Sequence, residues 1–261
     1  MHIVFLGTGP SRAIPRKGHR DALCRDARSG GKSRRLRSSA LITSGKTTIL
    51  IDSGPDILKQ LKQHKPKQID AVLLTHGHED AIDGLKDLDK WLRQQQIPVY
   101  TDRLTAQLLT HRFGKFKHLF FSKLKDYSPF KIKQVEVIPF PVLHTQDKRF
   151  KTYGYKFGSF CYASDFHELP KRTKTLLKGL NTTILDGAMY LGVKMPTHMS
   201  ADATVRLASE LKARQLILTQ SGHTYPPHNQ AELAIRRYAK ANQLAFPKKI
   251  RLAFDGLELK N

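Results

Sequence analysis

The chain has 261 residues, 39% of them hydrophobic, and carries 45 Lys and Arg against 22 Asp and Glu, a formal net charge of +23. This length suits one large domain or two small ones, and the apolar fraction suffices for an ordinary core. No apolar run approaches the ~20 residues of a membrane span, which argues against a membrane protein, and two cysteines, Cys24 and Cys161, give no disulfide framework.

His2–Leu6 reads as a first core strand, followed at once by Gly7-Thr8-Gly9. The run lacks the basic start and cleavage site of a signal peptide, so the expected location is cytoplasmic. Residues 10–37 are rich in Gly, Arg and Ser and are expected as a long basic loop, with Arg12, Arg16, Lys17, Arg20, Arg25, Arg28, Lys32, Arg34, Arg35 and Arg37 set against Asp21 and Asp26 alone. Such clustering favours phosphates and nucleic acid, although no recognised nucleic-acid motif accompanies it. Smaller basic clusters follow at 115–125, 148–151 and 171–178.

Strands are predicted at Ser39–Thr43 and Thr47–Asp52, joined by a Ser44-Gly45-Lys46 hairpin turn, then at Ala71–Leu74, Val99–Thr101 and Val135–Pro139. Further strands are predicted at Tyr153–Phe157, Phe160–Ala163, Thr182–Leu185, Gln215–Thr219 and Lys249–Ala253. Helical patterns cover Asp56–Gln63, Asp83–Gln94, Arg103–His111, Ser200–Ala213 and Gln230–Asn242. The alternation of strands and helices points to an α/β fold, with no internal repeat, no linker and no boundary, hence a single domain over 1–261.

Thr75-His76-Gly77-His78-Glu79-Asp80 stands directly after Ala71–Leu74. Two histidines two residues apart can reach one metal ion, and Asp80 can reach a second ion or a water. The carboxyl end of a buried strand is where α/β proteins place chemistry. His144, Asp165 and His223 close later strands in the same way. His76, His78, His144 and Asp165 together form a three-histidine, one-carboxylate set suited to Zn²⁺, Mn²⁺ or Fe²⁺.

These pieces, with Phe5-Leu6-Gly7-Thr8-Gly9, residues 35–42, Leu50-Ile51-Asp52-Ser53-Gly54, Ser164-Asp165, Leu218-Thr219 before His223, and Asp255-Gly256, run in order over nearly the whole chain. In them the chain resembles the metallo-β-lactamase superfamily, within it the PhnP-like phosphodiesterases and ribonuclease Z relatives. The resemblance implies an αββα sandwich, two mixed β-sheets packed face to face with helices outside, and a metal site at one edge. It also implies two departures. Ala81 and Gln220 stand where the family carries second-metal histidines, so one tight Zn²⁺ or Mn²⁺ is expected at His76, His78, His144 and Asp165. Asp80 and Gln220 would form at most a weak, oxygen-rich second site.

The implied activity is a metal-dependent hydrolase acting on a small or cyclic phosphodiester. A single ion can lower the pKa of its water from 15.7 to roughly 7, with Asp80 as general base and His198 protonating the leaving group. The alternatives are an RNA-processing nuclease, although the Gly-rich arm of ribonuclease Z is not evident, and an inactive fold that binds nucleic acid through its basic surface. Thioester or lactone hydrolysis also stays open. His19, Asp21 and Cys24 stand where PhnP-like relatives carry zinc-binding cysteines, and with His223 they could pin the basic loop with a structural zinc. Asp52 and Asp186 are expected to orient ligand loops, Cys161 to lie in the core, and His228 to have no assignable role. The oligomeric state is open between monomer and homodimer.

Overall fold

Apolar segments of three to eight residues build two seven-stranded sheets in the computed structural model, which describes residues 1–93, 95–145 and 150–260. The first sheet contains β1 (His2–Gly7), β2 (Ser39–Ser44), β3 (Thr47–Ile51), β4 (Ala71–Leu73), β5 (Ile97–Thr101) and β6 (Leu119–Lys123), with β14 (Glu258–Lys260) beside β1. β14 to β3 pair antiparallel and β3 to β6 parallel. The second sheet contains β7 (Phe130–Ile132), β8 (Val135–Val142), β9 (Thr152–Phe157), β10 (Phe160–Ala163), β11 (Thr182–Asp186), β12 (Gln215–Thr219) and β13 (Lys249–Leu252). β7 to β10 pair antiparallel, and β10 to β13 parallel.

Both sheets are therefore mixed, and three apolar layers explain their packing. Ile3, Phe5, Ile42, Ile51 and Leu73 of the first sheet meet Tyr155, Phe157, Phe160, Tyr162 and Ile184 of the second. All ten are buried, and each such side chain contributes about 1.5–3 kcal/mol on leaving water. The opposite face of the first sheet packs on α2 (Ile57–His64), α4 (Leu85–Trp91) and α5 (Arg103–Phe113) through Leu50, Val72, Ile57, Leu85 and Leu109. The outer face of the second packs on α6 (Lys171–Leu177), α7 (Ala201–Glu210) and α8 (His228–Ala241) through Leu177, Val205, Leu216 and Ile235. This is the αββα sandwich with outer helices.

The basic segment is not the uninterrupted loop expected. It contains α1 (Ala22–Arg28), capped by Asp21, whose side chain accepts from Cys24 N at 2.9 Å. Charged residues on its exposed face hid the short buried stripe of Leu23, Cys24 and Ala27. The strand β6 was also hidden, because it is an edge strand embedded in a basic cluster, where lysines discourage further pairing. The helix expected over Asp83–Gln94 is shorter, preceded by the one-turn α3 (Glu79–Ile82); Gln94 itself lies outside the described residues. So does most of the 148–151 cluster. The hairpin turn is as expected, with Ser44 paired to Thr47 and Gly45 at φ 57°. No described helix is long and apolar enough to cross a membrane.

Candidate metal centre

The parallel strands deliver polar residues to one edge of the sandwich. His76 and His78 follow β4, Asp52 follows β3, Asp165 follows β10, Asp186 ends β11 and Gln220 follows β12. His144 comes from the end of β8, and His198 from the segment entering α7. Five of these residues, with Asp80, line a cleft of about 1390 Å³.

The donor atoms of His76, His78 and His144 lie within 4.8 Å of one another, and so do those of His144, Asp165 and His198. The expected set of four is thus two overlapping triplets that share His144, and His198 joins the second. Burial pushes His76 down to about 4 and also lowers His144, so both imidazoles are neutral at pH 7 with a lone pair available. Their tautomers are fixed from behind. Thr75 Oγ donates to Asp52 Oδ2 at 2.8 Å, so it accepts from His76 Nδ1, also at 2.8 Å. The Thr197 carbonyl accepts from His144 Nδ1 at 2.9 Å. His76 Nε2 is left buried with no hydrogen-bond partner, which is the state of a nitrogen shaped to ligate. The residues present therefore fit a divalent ion.

Carboxylates divide the remaining work. Burial opposes ionisation of Asp165, but His76, His144 and His198 outweigh it and hold the carboxyl near 2. Burial and the charge of Asp165 raise Asp80 to about 6. Asp186 is raised to about 6 by burial; it accepts from Phe166 N, Ala188 N and His198 Nδ1, the last at 2.7 Å. Burial opposes the His198 charge, yet Asp186 overrides it and lifts His198 to about 9. At neutral pH His198 and Asp186 are thus an ion pair. Asp186 orients a loop, as expected, and it also orients His198.

Gln220 departs from its expected part. Its oxygen accepts from Ser38 Oγ and its nitrogen donates to Asp165, so here it is a hydrogen-bond bridge rather than an oxygen ligand. Ala81 is buried in the apolar layer under the first sheet's helices and does not line the cleft. Asp80 lines the cleft but belongs to none of the donor groups found among the described residues. Asp52 and Gln220 both adopt left-handed backbone, φ 59° and 64°, each just past the end of an interior strand, one in each sheet. Such non-glycine conformations persist where surrounding contacts hold them, often at functional sites.

A second cluster adjoins the first. His19, Asp21 and His223 also bring donor atoms within 4.8 Å, and the Cys24 thiol lies 3.2 Å from His223 Nε2. All four residues expected at a structural zinc are together, and Asp21 serves as helix cap besides. His228 is buried against Arg35 and away from the cleft; Cys161 is in the core, its thiol pushed up to about 12 by burial. Sequence reading missed Ser38, the Thr75 relay, the Thr197 carbonyl and Phe150, whose ring packs on His76 and His78 at 5.9 and 4.8 Å. Nothing in the local sequence of Ser38, Thr197 or Phe150 announces these contacts.

Comparison with known proteins agrees with this architecture. The β-lactamase superfamily domain profile matches residues 47–219. A crystal structure of a new diphosphatase from the PhnP family is 30% identical and superposes with a TM-score of 0.86, covering 100% of this chain and 97% of that one. Zn²⁺-bound PqqB from Methylobacterium extorquens shares the fold at 19% identity, with a TM-score of 0.81 and full coverage of both chains. Human short-form tRNase Z does so at 17% identity and a TM-score of 0.69, covering 100% of this chain and 99% of that one. A curated relative, an octanoyltransferase of Porphyromonas gingivalis, is 27% identical over 268 residues, which are 99% of this chain and 51% of the relative. The chain spans about half of that protein's length. By its profile match and its full-length likeness to the diphosphatase, the chain belongs to the metallo-β-lactamase superfamily of metal-dependent hydrolases, on its PhnP-like branch.

Proposed function

We propose that the protein is a phosphodiesterase that works with one tightly held Zn²⁺ or Mn²⁺, bound by His76, His78 and His144 with Asp165. The observation that carries this reading is the buried, unpartnered His76 Nε2 with donor atoms of His78 and His144 within 4.8 Å. When bound there, a divalent ion acidifies a water and polarises a phosphoryl oxygen. Asp80, unshared by a second ion, takes the proton of the attacking water. His198, charged and aimed by Asp186, donates a proton to the leaving oxygen. Arg37 and Arg112 line the same cleft, guanidinium groups that suit an anionic substrate.

The alternative of a nucleic-acid substrate is favoured by the segment 10–37, where Arg12, Lys17, Arg20 and Arg34 have no carboxylate partner among the described residues. The His19, Asp21, Cys24 and His223 cluster would bind a structural zinc and pin that segment beside the cleft.

The test is metal content and turnover of the purified protein beside His76→Ala, on a small aryl phosphodiester, a short RNA and an acyl thioester. The thioester belongs in the panel because the Porphyromonas relative is named for octanoyl transfer. Diester turnover and bound metal that both vanish in the variant are the expected result. Undiminished turnover in His76→Ala sinks the site assignment, and thioester turnover alone sinks the phosphodiester reading.

A further inference from the structure

The helix α5 forms a ridge with a recess on each side. Leu108, His111 and Arg112 line the cleft that holds the candidate metal ligands. Positions 103, 106, 107, 110 and 111 line a second groove of about 490 Å³, closed by the start of the helix and the end of β6. Spacings of three and four residues put 103, 106, 107 and 110 on one stripe of the helix. His111 belongs to both linings, so the groove and the cleft adjoin at this side chain.

The floor of the groove is apolar because its polar groups are already engaged. The Asp102 carboxylate accepts from Leu104 N at 2.9 Å, from Thr105 N at 3.2 Å and from Thr105 Oγ, all within the first turn of α5. Thr110 Oγ donates to the Ala106 carbonyl at 2.9 Å, which leaves its methyl as the uncommitted part. Ala106 adds a second methyl, and the half-buried ring of Phe121 is held edge-to-face on Phe116 at 5.7 Å. Charge stands at the rim, where Arg103 and Lys123 are exposed and have no carboxylate partner among the described residues. A recess of this size, apolar within and cationic at its mouth, fits part of a small anionic molecule. None of the candidate metal ligands lines it, nor do Asp80 and His198, so that part lies away from the reacting phosphorus.

We propose that the groove between α5 and the end of β6 is a substrate subsite that holds an apolar ester arm while the scissile diester lies at His76, His78 and His144. The inference rests on the phosphodiesterase reading and narrows its substrate class to diesters of one apolar alcohol. That alcohol carries either an alkyl chain or an aromatic ring, and the arm reaches the groove past His111.

Three p-nitrophenyl phosphodiesters that differ only in the second alcohol, methyl, octyl or benzyl, probe the groove with the leaving group held constant. The wild type is expected to favour the octyl or the benzyl diester over the methyl by about tenfold or more in kcat/KM, since each fully buried methylene is worth about fourfold. A gain confined to octyl identifies an alkyl chain, and a gain confined to benzyl identifies an aromatic ring. In Ala106→Phe, whose ring fills the groove, the preference collapses to within about twofold as the arm loses its burial. Thr110→Glu, which sets a carboxylate on the groove wall from an exposed position, does the same. Leu104→Ala removes an exposed apolar side chain of α5 outside the groove and leaves the preference as in the wild type. No preference in the wild type, a preference retained in both groove variants, or an equal fall in Leu104→Ala overturns the proposal. Should no diester be hydrolysed at all, the phosphodiesterase reading fails, while calorimetric titration still tests the groove. Octyl phosphate must then bind the wild type about tenfold more tightly than methyl phosphate, and Thr110→Glu must lose that difference. Equal affinities in the wild type, or a difference kept in the variant, overturn it.

Discussion

Proton placement decides what each residue of the centre can do. His76 and His144 offer lone pairs because burial disfavours their charge, whereas His198 keeps its proton because Asp186 stands 2.7 Å from its Nδ1. Identical side chains are thus fitted to ligate or to donate a proton by their partners alone. Replacing His198 with Gln should lower turnover about 10²- to 10⁴-fold for diesters with poor leaving groups. Turnover of p-nitrophenyl esters should fall far less, since that leaving group needs no proton. Comparing the two substrates in one variant checks the role; equal losses would make His198 a ligand or a structural residue instead. The sign with pH follows. The acid form is present below about 9 and lost above it, and Asp186→Asn should move the alkaline limb of kcat/KM to lower pH.

Between elements, the ligand loops interlock backbone to backbone. A Cβ on Gly54 would stand 1.9 Å from the Asp80 carbonyl oxygen, and one on Gly84 would stand 2.1 Å from the Gly54 carbonyl oxygen. Ser53 N donates to the Ala81 carbonyl and Gly84 N to the Ser53 carbonyl, both at 2.8 Å. The loop after β3 therefore sets the position of α3 and with it Asp80. Gly54→Ala should cost about 1–3 kcal/mol by overpacking and should reduce kcat more than metal content, because His76 and His78 precede the displaced turn. Urea unfolding and metal analysis on one preparation separate these effects; full activity with unchanged stability would refute the interlock. Much of this arrangement was legible in sequence. Apolar runs ending in His76, Asp165 and Gln220 marked the strands and their functional ends, since a buried strand needs continuous apolar residues and a site needs polar ones. What stayed hidden depends on chain separation. Ser38 reaches Gln220 across 182 positions, and the Asp52 carboxylate meets Thr75 after 23, pairings that no local pattern encodes. The edge strands β6, β7 and β14 and the helix α1 were obscured by lysines and arginines on their exposed faces.

The two sheets are tied together behind the cleft by one buried cation. Arg35 is 2% exposed and donates to Thr8 Oγ after β1, to the Ala253 carbonyl after β13, and to His228 Nδ1 at the start of α8. Asp255 completes the knot by accepting from Thr8 Oγ and Leu36 N. His228 must stay neutral to accept from Arg35, and burial, then the charges of Arg35 and Lys32, depress it to about 3; Asp26 opposes them and Arg251 adds to them. A free histidine titrates near 6.5. Between about 3 and 6.5 the unfolded chain therefore binds a proton at this position that the native state refuses. Stability contributed here is full above 6.5 and declines on acidification through that window, by at most about 1.4 kcal/mol per pH unit for one proton. Asp255 and Asp186, both raised to about 6, act in the opposite sense: the native state holds their protons between about 6 and 3.8. The wild-type curve is a sum of these, so the informative quantity is a difference. His228→Asn keeps an acceptor for Arg35 and removes the titration. Urea midpoints from pH 8 to pH 4 should fall more steeply for the wild type than for this variant, with the gap opening below about 6.5. Parallel curves would mean that the proton reaches His228 without breaking the knot, and that Arg35 does not depend on a neutral partner to join the two halves of the sandwich.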